Sequence, residues 1–171
     1  MKEMVKYGFT LTLICIIAAG LLAGVNALTK SKIISQAHAE EEASLREVLP
    51  GAVSFEPVKS EDTVLYYKAL DREGKLMGAA FKASGKGYSS TIETMVGMLK
   101  EGTITAIKVI SQNETPGLGT RVAEPAFTEQ FKNILDISGV SAITGATISS
   151  GAVINSIADK AKEIKTFLAN E

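Results

Sequence analysis

From Gly8 to Leu28 the chain carries no charged residue, and Leu, Ile, Phe, Ala, Gly and Val dominate the run. Its length matches what an α-helix needs to cross a bilayer, roughly 20 residues. Val25-Asn26-Ala27 also resembles the small-residue site of a cleaved signal peptide. Signal-peptide apolar cores are shorter, about 7–15 residues, so the run reads as a retained single-pass anchor. Lys2, Lys6 and the N-terminal amine flank one side, and Lys30 and Lys32 the other. That near-balance leans toward a cytoplasmic N-terminus. Gly20 and Gly24 carry the spacing that lets a second transmembrane helix approach closely.

Beyond the anchor, Lys30 to Val48 is rich in Ala, Glu and Ser and reads as a helical stalk, ended by Pro50-Gly51. The expected division is a short cytoplasmic N-terminus at 1–7, a transmembrane helix at 8–28, a stalk at 29–50 and a globular domain at 51–171. Roughly 120 residues are enough for a real core. Thr63–Ala69 reads as a strand, Asp71–Gly74 as a turn and Lys75–Phe81 as the returning strand. Ile92, Thr94, Val96 and Met98 alternate on one face, Glu101-Gly102 turns, and Thr103–Ile110 returns. Ser84–Ser90 is expected as a glycine-rich loop between the hairpins, and a helix is expected at about 125–135. The last helix is expected at about 149–169, where Ile154, Ile157, Ala161, Ile164 and Leu168 form one apolar stripe. Hairpins with helices packed on their sheet make an α+β domain.

Most protein-based chemistries are excluded. A net charge of −1 offers no lure for nucleic acid. One cysteine, Cys15 in the apolar run, builds no disulfide, and one histidine, His38 in the stalk, builds no catalytic triad or His-rich metal site. Gly85-Lys86-Gly87 lacks the preceding glycine of a phosphate-binding P-loop, since Ala80 stands there, and Ser90 replaces the third glycine of a dinucleotide fingerprint. Any redox or group chemistry therefore belongs to a bound cofactor.

Two segments fit such a cofactor. Ser141–Ser150 is small and hydroxyl-rich and precedes the last helix. The first amides of a helix lack intrahelical partners and favour an anion, so the turn suits a phosphate; it equally suits a plain Ser/Thr helix cap. Asn113-Glu114-Thr115-Pro116-Gly117-Leu118-Gly119-Thr120 holds a Pro-Gly type II turn signal. It reads either as a loop that brings backbone amides to a flat or anionic ligand or as a simple connection.

In this order, Gly87-Tyr88, Met95-Val96-Gly97, Glu114-Thr115-Pro116-Gly117-Leu118-Gly119 and Thr144-Gly145-Ala146-Thr147 resemble the FMN-binding domain family. The likeness is to the G subunits of Rnf-type ion-translocating electron-transport complexes, and it runs from the anchor to the C-terminus. It implies FMN attached covalently through its phosphate to Thr147 by a separate flavin transferase. Thr144, Gly145 and Ala146 complete that motif. Thr115, Gly117, Leu118, Gly119 and Tyr88 are the expected non-covalent flavin contacts. Ser141 stands where the family motif usually has an acidic residue. The resemblance further implies an electron carrier inside a ferredoxin:NAD oxidoreductase (translocase) that moves Na⁺ or H⁺, with the other membrane and redox subunits as partners and no catalytic residue of its own. The FMN domain would face the periplasmic or extracellular side. The similar C subunit of the sodium-translocating NADH:quinone reductase, and a cofactor-free membrane-anchored assembly module, are the alternative readings.

Overall fold

The structure, a computed structural model, describes residues 2–60 and 63–169. A single α-helix, α1, runs over Lys2–Val48, with no proline before Pro50 to interrupt it. Every residue from Glu3 to Glu40 is exposed. The helix is long and apolar enough to cross a membrane. Hydroxyls in and beside the apolar run bond back to their own helix. Thr10, Thr12 and Thr29 donate to the carbonyls of Lys6, Gly8 and Val25 at 3.0, 2.9 and 2.9 Å, which suits a helix surrounded by lipid.

The chain forms two compact units, Met1–Glu41 and Glu42–Glu171. The second contains a five-stranded antiparallel sheet in sequential order: β1 (Ser54–Ser60), β2 (Thr63–Leu70), β3 (Leu76–Lys86), β4 (Thr91–Leu99) and β5 (Ile104–Ser111). Both faces of that sheet are covered. On one, Phe81, Ile92, Val96, Met98 and Ile104 pack with Val122, Phe127 and Phe131 and with Val153, Ile157, Ile164 and Leu168 of the last helix. On the other, Leu45, Val48, Leu49 and Ala52 cover Ala69, Ala80 and Met95. Thr105 donates its hydroxyl to the Val48 carbonyl and fixes the end of α1 on the sheet.

The expected strands at 63–69, 75–81 and 103–110 are present, and Ile92, Thr94, Val96 and Met98 are all buried. Three expectations need correction. Ser84, Gly85 and Lys86 belong to β3, so the expected loop shrinks to a turn at 87–90 and the two hairpins fuse into one meander. The strand β1 was not anticipated. Pro57 lies within it and has no N–H to give the ladder, a loss that an edge strand tolerates. The expected helix at 125–135 is one α turn, α2 (Pro125–Thr128), followed by a 3-10 turn at Glu129–Phe131. Asn133 then takes a φ of 56° and Ile134 pairs with Ile104 of β5, turning the chain from helix to sheet edge.

The last helix, α3, spans Thr147–Leu168. Its buried stripe is Val153, Ile157, Ile164 and Leu168, with Ile154 and Ala161 partly buried beside it. That packing fixes the start of α3 against the sheet.

Candidate functional site

The helix start is built without a side-chain cap. Ala146 holds the N-cap position and makes no capping bond with its side chain. Ser150 shapes the turn from inside. Its hydroxyl accepts from the Ile143 N–H at 3.0 Å and donates to the Ala146 carbonyl at 2.8 Å. Gly145 takes a φ of 83°, a left-handed conformation that glycine adopts without strain. Thr144, Gly145 and Thr147 are consequently exposed while Ala146 is buried. The first helical bond of α3 is Ser150 N–H to Ala146 at 2.9 Å. The amides of Thr147, Ile148 and Ser149 precede it and lie at the positive end of the helix dipole.

The Thr115–Gly119 loop forms the type II turn that its Pro-Gly pair predicts, with Gly117 at a φ of 74° and the Leu118 N–H on the Thr115 carbonyl at 3.1 Å. Its amides are largely spent internally. The Gly117 N–H bonds the Thr120 hydroxyl at 3.0 Å, the Thr120 N–H bonds Thr115 at 3.4 Å, and the Arg121 N–H bonds Leu118 at 3.2 Å. The loop therefore offers a ligand its exposed side chains more than its backbone donors. Leu118 projects toward the Thr144–Thr147 turn: a Cβ on Gly145 would lie 4.0 Å from Leu118 Cδ2.

Glu114, which the sequence reading placed only inside a motif string, joins these segments. Its carboxylate is buried and accepts five bonds: from the backbone N–H of Tyr88 at 3.1 Å, Ser89 at 3.0 Å and Ser90 at 2.9 Å, and from the hydroxyls of Ser90 at 3.4 Å and Ser149 at 2.6 Å. Burial by itself pushes the carboxyl pKa up. The Ser149 hydroxyl and the Ser90, Ser89 and Tyr88 amides outweigh it and hold the group below its ordinary value. Gly119 is buried against this carboxylate because nothing larger fits: a Cβ there would stand 2.6 Å from Glu114 Cβ and 2.8 Å from the Ser149 hydroxyl.

Thus the turn bearing Tyr88, Gly119 of the loop and Ser149 in the first turn of α3 converge on one carboxylate. Around it three large side chains face solvent, Tyr88 at 72%, Leu118 at 49% and Ile148 at 58% exposure. Beside the turn lies a shallow cleft of about 220 Å³ lined by Arg121, Gln130, Ser141 and Thr144 among others. Ser141 is pinned there by its backbone, its N–H donating to Gln130 at 2.9 Å. Among the described residues no cluster of His, Cys, Asp and Glu could hold a metal ion.

Residues 87–162, which contain all of these segments, match the FMN-binding domain family, and residues 1–48 match the RnfG N-terminal region. Over 173 aligned residues the chain is 35% identical to the G subunit of the ion-translocating oxidoreductase complex of Methanosarcina acetivorans, spanning 91% of this chain and 92% of that protein. The chain belongs to the G-subunit family of ion-translocating oxidoreductase complexes. The corresponding protein of Photorhabdus laumondii is 29% identical over 98% of this chain and 93% of its own length. That of the proton-translocating ferredoxin:NAD(+) oxidoreductase complex of Clostridium ljungdahlii is 28% identical over 92% of this chain and 89% of its own. The G-subunit assignment thus covers the membrane helix and the FMN-binding domain together.

Proposed function

We propose that this chain is the membrane-anchored electron carrier of an Rnf-type ferredoxin:NAD oxidoreductase complex, with FMN joined through its phosphate to Thr147. The observation that carries the reading is the exposed Thr147 at the first position of α3, within a match to the FMN-binding domain family. FMN would supply the one-electron chemistry that the chain's own side chains lack.

The residues fit such a group. Thr147 is exposed, no side chain caps the helix start beside it, and the first α3 amides favour a phosphate's charge. Ser149 and Ser150 are buried with their hydroxyls engaged, which leaves Thr147 as the accessible hydroxyl in the first turn of the helix. In the attachment step the Thr147 oxygen bonds to the phosphorus of an activated FMN donor held by a flavin transferase. The donor's leaving group departs with the bonding pair, and the hydroxyl proton is released. Leu118 and Tyr88 offer apolar and aromatic surface to a flat ring, Thr115, Gly117 and Gly119 shape the loop that carries Leu118, and Gly145 and Ala146 keep the turn slim. The tether keeps the flavin at high local concentration without an enclosing pocket.

Residues 8–28 would span the membrane with the N-terminus cytoplasmic and the FMN domain on the outer side, among the complex's other membrane and redox subunits. Relatives named as subunits of ferredoxin:NAD(+) oxidoreductase complexes, proton-translocating in Clostridium ljungdahlii and Na(+)-translocating in Acetobacterium woodii, support that setting.

The test is co-expression of the full chain with a flavin transferase, then denaturing electrophoresis under ultraviolet light and peptide mass mapping. A fluorescent band lost in Thr147→Ala and kept in Thr147→Ser is expected. A band that persists in Thr147→Ala, with the flavin mapped elsewhere, overturns the attachment site.

A further inference from the structure

A phosphate tether alone leaves the flavin ring on a flexible ribityl chain, so a second, rigid surface has to fix where the ring sits. The large exposed side chains nearest the acceptor turn come from three separate segments, Tyr88 from the turn at 87–90, Leu118 from the loop and Ile148 from α3. Their relative placement therefore depends on whatever joins those segments. That junction is Glu114. Oε1 accepts the Ser89 and Ser90 amides and Oε2 accepts both the Tyr88 amide and the Ser149 hydroxyl. A single carboxylate oxygen thus links the residue bearing the aromatic ring to the helical turn bearing Thr147. It takes the Ser149 hydroxyl, not the first α3 amides, and so leaves those amides to an anion on Thr147.

We infer that Glu114 is a positioning residue for the flavin: its carboxylate locks the Tyr88 turn to the first turn of α3 and so fixes the ring against the domain. This rests on the reading of FMN on Thr147. A carboxylate suits the task better than a neutral amide. Glutamine keeps an acceptor for Ser89 and Ser90 but places an NH₂ donor against the Tyr88 N–H, breaking the link on the oxygen that matters. Glu114 holds its five donors as an acceptor-only group, and Gly87 and Gly119 make room for it: Cβ atoms there would stand 2.6 Å and 2.7 Å from its two carboxylate oxygens.

The experiment uses the full flavin-loaded chain in detergent, as wild type, Glu114→Gln, Ser149→Ala and the double variant. Attachment is measured by mass mapping, and the ring by fluorescence anisotropy, emission lifetime and midpoint potential well below each protein's unfolding temperature. Expected are retained attachment, lower anisotropy, a longer lifetime as the ring leaves quenching contact with Tyr88, and a shifted potential in both single variants. The double variant should change little further, because both act on one link. Ser149→Ala removes one arm only and carries the test if Glu114→Gln fails to fold. Loaded variants with wild-type anisotropy, lifetime and potential overturn the inference alone. A wild type that takes up no flavin overturns the attachment reading and this inference with it.

Discussion

The Ser149 hydroxyl donates to the Glu114 carboxylate at 2.6 Å across 35 residues of sequence, both groups being buried. This bond joins the loop after the last strand to the start of the last helix, and with them two of the family's motifs.

Truncating the carboxylate exposes what it satisfies. Glu114→Ala leaves the amides of Tyr88, Ser89 and Ser90 and the Ser149 hydroxyl without their acceptor. Orphaned buried donors cost about 1–3 kcal/mol each when fully desolvated, so a loss of about that size is expected for the partly buried set. Chemical denaturation checks it, and a loss below about 0.5 kcal/mol would contradict the burial of the group.

The same carboxylate sets a pH dependence. Its folded pKa lies below the ordinary value of 4.5, so its stabilisation is complete above 4.5 and is lost as pH falls through the lower folded value. Wild type should therefore lose thermal stability on acidification below 4.5, and Glu114→Gln should lose less over the same interval. Parallel curves for the two proteins would remove Glu114 from the acid response.

Gly119→Ala places a Cβ 2.6 Å from Glu114 Cβ and 2.7 Å from Oε2, inside contact distance. Overpacking of this kind costs about 1–3 kcal/mol. A broken or lengthened Glu114–Ser149 bond is expected as well, because the clash also strikes the Ser149 hydroxyl. A crystal structure of the variant with the Glu114–Ser149 bond unchanged would refute this.

Thr94 gives a prediction of opposite sign. Its hydroxyl is buried in β4 with no hydrogen-bond partner among the described residues. Thr94→Val removes that unsatisfied group at nearly constant volume and should raise stability by about 1 kcal/mol. A lower melting temperature for the variant would mean that the hydroxyl is satisfied, for instance by a buried water.

Much of the fold was legible because it rests on local periodicity. The apolar run from Gly8 to Leu28 specified a helix, and alternation at Ile92, Thr94, Val96 and Met98 specified a strand, though not that Met95 is buried on its other face. The Pro116-Gly117 pair specified a turn of known geometry, as observed. Where local signals were weak, the reading failed. β1 with its Pro57 is held by pairing to β2, and the chain after Phe131 is turned by pairing of Ile134 with Ile104. Local periodicity in the segment itself carries neither pairing.

At the candidate site the division is similar. Sequence alone determined a membrane helix, the absence of histidine- and cysteine-based chemistry, and the motif strings that mark the family, because these depend on composition and spacing. Only the tertiary structure decided that Ala146, and no Ser or Thr, holds the N-cap of α3, and that the loop's amides are mostly spent on itself. It alone showed that Glu114 gathers Tyr88, Gly119 and Ser149 around one charge. A buried carboxylate is stable only where several donors converge on it, and donors from distant segments converge only once the sheet and α3 have packed.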